Sequence, residues 1–155
     1  MTLIADDDDT APAKSRMLWI LGLGGLIPFI VMSGLLAYAG TAFIAFDLLV
    51  KALSGYGAVI LSFFGGIRWG ASLMRASPGR LTLALSVLPS LFAWICLFLP
   101  VPWLFAALGV GFLAQGVWDV TAIQRGKLPE AFRTLRIVLT AVVVLCMIVA
   151  FVSTY

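Results

Sequence analysis

Five apolar runs, at 17–38, 53–74, 81–99, 102–122 and 136–153, take up most of this chain. Each is about 20 residues long, enough as a helix rising 1.5 Å per residue to cross the roughly 30 Å hydrocarbon core of a bilayer. Within that core no water solvates an open backbone N–H or C=O, so a spanning segment closes its hydrogen bonds inside a helix. The expected fold is therefore all-α: a polytopic membrane protein with a bundle of five transmembrane helices plus a short interfacial helix. Composition agrees. Of 155 residues, 63% are hydrophobic and 11% charged, against roughly half and a quarter in soluble domains. That balance excludes a soluble enzyme, a nucleic-acid-binding domain and a disordered chain.

The breaks between the runs are chemically plain. Residues 1–16 carry an acidic run, Asp6 to Asp9, then Lys14 and Arg16; like charges in a block repel and stay solvated, so a disordered cytoplasmic tail is expected. Ser77-Pro78-Gly79-Arg80 reads as a turn, and Pro100-Val101-Pro102 as a tight link between the third and fourth spans. Pro102 and Trp103 suit a helix start, where a missing amide donor costs nothing, and Gly126 suits a helix C-terminus. Continued helix over 41–75 would run about 52 Å, too long for one crossing. Phe43, Phe46, Val50 and Leu53 share one side of that stretch, and Asp47 and Lys51 pair at i,i+4 on another. An interfacial helix at about 41–52 is expected, leading into the second span. Residues 17–155 then form a single domain, without a repeat that would signal an inverted-repeat transporter.

With five crossings, Lys14, Arg16, Arg75, Arg80, Arg125, Lys127, Arg133 and Arg136 fall on one side, eight of the ten basic residues. The other side keeps Lys51, and Arg68 lies within a span. The excess of basic residues on cytoplasmic loops places the N-terminus in the cytoplasm and the C-terminus in the periplasm. Trp19, Trp69 and Trp118 fall near the inner ends of spans, and Tyr38, Trp103 and Tyr155 near the outer ends, as interfacial aromatics do. A rival reading takes the first run as a secretory leader cut after Ala37-Tyr38-Ala39. Its apolar core is longer than the 7–15 residues usual for a leader, so an uncleaved span is preferred.

The chain has no histidine. Haem ligation by His, most zinc and copper sites, a Ser-His-Asp triad and His-based proton relays are thereby excluded. Cys96 and Cys146 are single, each inside an apolar run, and read as packing residues. No cofactor, no metal and no catalytic constellation is expected.

Two features of the spans stand out. Ala58, Ser62, Gly66 and Gly70 recur every four residues in the second span, a small-residue stripe that lets a neighbouring backbone come close. The favoured reading is helix packing within the bundle, with a homodimer seam through Gly66 and Gly70 as the alternative. The second feature is charge inside the membrane. Arg68 lies about 10 Å inside Arg75 and Asp119 about 9 Å inside Arg125, by helical rise. Equal depth and opposite sign suggest a buried pair. Gly111, Gln115, Asp119 and Ala122 share a helix face, so Arg68, Asp119, Gln115 and Ser62 form a candidate intramembrane polar site. The competing readings are an Arg68 that snorkels to headgroups and a pair that only locks two helices. Pro28 and Pro89 sit near mid-membrane, where each removes a backbone donor and kinks a helix. Glu130 and Arg133, at i,i+3, read as a surface ion pair.

The run from Tyr56 to Gly70, Tyr-Gly-Ala-Val-Ile-Leu-Ser-Phe-Phe-Gly-Gly-Ile-Arg-Trp-Gly, resembles the core motif of domain-of-unknown-function family 3429, the transmembrane protein 69-like small multi-pass membrane proteins. Gly25-Leu26-Ile27-Pro28-Phe29, Leu88-Pro89-Ser90-Leu91, Arg133 and Arg136 extend the resemblance over most of the chain. It implies a bacterial relative of an inner-membrane protein without assigned activity, and brings no catalytic residues. The expected function is a non-enzymatic accessory, assembly or interaction protein of the bacterial cytoplasmic (inner) membrane. Its expected partners are membrane lipids and other membrane subunits or a homo-oligomer, and no nucleic acid. The alternative is a small transporter or channel around Arg68 and Asp119.

Overall fold

A computed structural model describes residues 10–39, 44–74, 79–125 and 132–155. They form six helices: α1 (Thr10–Ala39), α2 (Phe46–Leu73), α3 (Arg80–Leu85), α4 (Leu88–Cys96), α5 (Trp103–Gln124) and α6 (Phe132–Ser153). Four stretches are long and apolar enough to cross a membrane: Arg16–Ala39, Phe46–Leu73, Trp103–Gln124 and Arg133–Ser153. The chain is a polytopic helical membrane protein.

The third crossing is not one helix. The expected span at 81–99 is divided at Ser86–Val87 into α3 and α4. Pro89, in the first turn of α4, has no amide hydrogen to give the Leu85 carbonyl, so the ladder breaks there and restarts. Together the two pieces still traverse the bundle. Asp119, late in α5, meets Arg68, late in α2, so α2 and α5 run in the same direction. The segment joining them must return from one end to the other. α6 runs opposite to α5, because Arg136 early in α6 meets Asp119 late in α5, and α1 runs with α6, because its Gly22 packs on Leu135 and Leu139. Arg16, Arg80, Arg125 and Arg133 therefore gather at one end of the bundle.

Two expected boundaries move. α2 is one 28-residue helix from Phe46, so residues 46–52 are its first two turns rather than a separate interfacial helix; 40–43 lie outside the described residues. Asp47 in that first turn suits the positive end of the helix dipole. Likewise α1 begins at Thr10, inside the stretch expected to be a disordered tail, while 1–9 are outside the described residues. So are Arg75, Ser77, Pro78, Gly126, Lys127 and Glu130, with the turn, cap and ion pair expected of them.

The core lies between α1, α2, α4, α5 and α6. Phe29 meets Tyr56 at a tilt and Phe112 edge-on, with ring centroids 5.0 and 5.7 Å apart, and Phe64 also meets Phe112 edge-on. Leu36, Leu53, Leu61, Phe105 and Leu108 fill the space around them. α1 is a packed member of this core through Leu26, Phe29 and Leu36. Pro28 sits inside α1 without ending it. The Tyr56 hydroxyl donates to the Gly25 carbonyl at 2.9 Å, one residue along from the Gly24 carbonyl whose helical donor Pro28 lacks. Cys96 and Cys146 are buried and free, filling space in the same cluster.

Candidate functional site

Three helices deliver charge to one point near the basic end. α2 carries Arg68 and α5 carries Asp119, as their equal depth suggests. α6 carries Arg136, which sequence reasoning grouped with the surface residues that set orientation. The Arg136 Nε lies 2.7 Å from Asp119 Oδ2. Arg68 Nε lies 3.7 Å from Asp119 Oδ1, and the Gln115 amide donates to that same oxygen at 3.1 Å. One carboxylate thus gathers two guanidiniums and an amide, with Arg136 as the nearer cation.

Aromatic rings close the cluster. The Arg136 guanidinium lies over Phe64, 3.4 Å from the ring centroid, and that of Arg68 over Trp118 at 4.2 Å. The ring faces supply partial negative charge where water is excluded. Trp118 is therefore engaged with Arg68 as well as lying near a helix end. Exposure is 6% for Arg68, 4% for Asp119 and 1% for Arg136, so neither arginine snorkels to the headgroups. The Nη1 and Nη2 atoms of Arg136 have no hydrogen-bond partner among the described residues. Chemically the cluster fixes α2, α5 and α6 to one another; no metal-binding group occurs among the described residues.

Of the remaining expected site residues, Gln115 joins the cluster and Ser62 does not. The Ser62 hydroxyl donates at 2.8 Å to the Ala58 carbonyl of its own helix. The small-residue stripe is also reassigned. Ala58 is buried, but Gly66 and Gly70 are exposed, and a side chain added at either would meet nothing within 4 Å. The glycine that admits a neighbouring backbone is Gly65: a Cβ there would lie 2.5 Å from the Ser86 carbonyl oxygen, at the α3–α4 break. Packing of Gly66 and Gly70 inside the bundle is thereby corrected. A step of four residues turns about 40° on a helix of 3.6 residues per turn, so the stripe winds off the buried face.

The signal for Arg136 lies in the phase of α6. Leu135, Leu139, Val143, Met147 and Ala150 are buried along α6, and Arg136 falls three residues before Leu139 on that stripe. Arg133 falls outside it and is exposed.

These features define a small multi-pass membrane protein whose intramembrane charges are sealed among its helices. Residues 14–152 match the family described as Protein of unknown function (DUF3429), and the chain belongs to that family. It is 33% identical over 137 residues to transmembrane protein 69 of Xenopus tropicalis, across 83% of this chain and 51% of that protein. It is 41% identical over 75 residues to transmembrane protein 69 of Mus musculus, across 46% of this chain and 29% of that one. The chain spans about half the length, or less, of these curated relatives. No solved structure matches it.

Proposed function

We propose that this protein is a non-enzymatic accessory or assembly component of the bacterial inner membrane, working by packing against other membrane constituents. The observation that carries the reading is the closure of the Arg68–Asp119–Arg136 cluster. A transport site needs ionisable groups that meet water or a solute from at least one side. Here the charges are 1–6% exposed and roofed by Phe64 and Trp118. Intramembrane charge is costly and is often functional; in this chain it goes into joining three helices. The outer surface is apolar along every crossing, with exposed Ile27, Val59, Leu91, Val117 and Ile148 among many.

The cytoplasmic N-terminus and periplasmic C-terminus belong to the same proposal, supported by the arginines gathered at one end. Alkaline phosphatase fused after Tyr155 is expected to be active, and inactivity would reverse the orientation. For function, the full chain in proteoliposomes is expected to pass protons, potassium and chloride no faster than protein-free vesicles. Crosslinking in native membranes is expected to trap one recurring protein neighbour in stoichiometric amount. Ion flux above background that Asp119→Asn abolishes would overturn the accessory reading in favour of a transporter or channel.

A further inference from the structure

The two guanidiniums of the cluster are covered by the same device, but not equally well. Each lies over an aromatic ring, and each ring is half-buried and also lines a groove. Phe64 lines a groove of about 300 Å³ between α1, α2 and α6, and Trp118 one of about 460 Å³ between the third crossing and α5. No arginine lines either groove among the described residues. The rings therefore stand between apolar space and buried charge.

On the Arg136 side the cover is pinned. Phe64 meets Phe112 edge-on and Phe63 at a tilt. Beneath it the guanidinium lies 3.4 Å from the ring centroid, and Nε lies 2.7 Å from Asp119 Oδ2. On the Arg68 side the ties to α5 are longer, 4.2 Å to the Trp118 centroid and 3.7 Å to Asp119 Oδ1. Trp118 meets no other aromatic ring among the described residues. We propose that Trp118 is a gate on Arg68, while Phe64 is a fixed cover on Arg136. When the indole changes rotamer and turns into the groove beside it, Arg68 leaves Asp119 and faces that groove. The Gln115 amide stays on the carboxylate, and so does Arg136. The buried carboxylate is thus never left without a cation, which is the costly state. Opening gives the apolar groove a cation on its inner wall while α5 and α6 stay locked.

The gate rests on the sealed cluster of the accessory reading, and one labelling series separates the two. Phenylglyoxal, a small membrane-permeant reagent for guanidinium groups, is applied to native membranes holding the full chain, and adducts are located by peptide mass. In the parent, exposed Arg80 and Arg125 should react first, Arg68 slowly and Arg136 not at all. Trp118→Leu fills the space without a ring face. It should speed the labelling of Arg68 roughly thirty-fold, the loss of a desolvated cation–π contact, with Arg136 still protected. Trp118→Phe keeps a ring and should hold Arg68 near the parent rate. Arg68 labelling unchanged by Trp118→Leu, or Arg136 labelling that rises with it, would overturn the gate and leave the seal standing. So would Arg136 reacting as fast as Arg68 in the parent, both slower than Arg80, a comparison that needs no variant. Labelling of both in the parent as fast as Arg80 would overturn the seal as well, and the accessory reading with it.

Discussion

Two neighbouring faces of α2 behave in opposite ways, although their sequences look alike. Ala58, Leu61, Gly65, Arg68 and Ser72 lie on the buried face, at alternating steps of three and four. That averages 3.5 residues, close to the 3.6 of the helix, so the stripe stays against its neighbours. Ser62, Gly66 and Gly70 start beside it and turn outward. The inner glycine receives a backbone carbonyl from the α3–α4 break, while the outer glycines face open space. Residue type alone therefore does not identify a packing glycine; its phase relative to the charged residue does.

The largest effect should come from the charge on the inner face. Asp119→Ala leaves Arg68 and Arg136 buried without their shared carboxylate, and should cost about 3–5 kcal/mol, read as a lowered unfolding temperature in mild detergent. Exchanging the pair, Arg68→Asp with Asp119→Arg, should give no recovery in membrane accumulation over either single variant. The new arginine would stand where Arg136 now meets a carboxylate at 2.7 Å. Recovery to the parent level would make Arg68, not Arg136, the principal partner of Asp119.

Gly65→Ala comes next, because its Cβ is blocked by the Ser86 carbonyl, a backbone atom. Overpacking of this kind costs about 1–3 kcal/mol, and denaturant titration in micelles would measure it. Tyr56→Phe removes the hydrogen bond to Gly25 and should cost about 0.5–1.5 kcal/mol by the same titration. Smallest is Gly66→Ala on the outer face, expected within about 0.5 kcal/mol of the parent. A loss there as large as that of Gly65→Ala would erase the distinction between the faces and point to a partner seated on Gly66.

Much of the architecture was legible because the bilayer enforces it. Helix length, the proline-marked breaks and the grouping of basic residues follow from local chemistry, and so did the shared depth of Arg68 and Asp119. Three features needed the third dimension. Arg136 lies only four residues into α6, where a basic residue ordinarily reports an interface, and its place on the buried stripe shows only once the phase of α6 is known. Pro89 signalled a kink, but whether a helix bends or restarts depends on what packs against the interrupted backbone, here Gly65 beside the Ser86 carbonyl. The outward drift of Gly66 and Gly70 is small at each step, and tells only after several turns.

The restart at Ser86–Val87 also bears on how the chain enters a membrane. Neither α3, with six residues, nor α4, with nine, spans a bilayer alone, where about 20 residues are needed. The polar backbone between them is sheltered by α2, which precedes them in the chain. During synthesis α2 thus leaves the ribosome first and is in place to shelter the interrupted segment. Reordering the segments, with the third moved ahead of the second, should leave that polar turn facing lipid and strand the segment at the surface.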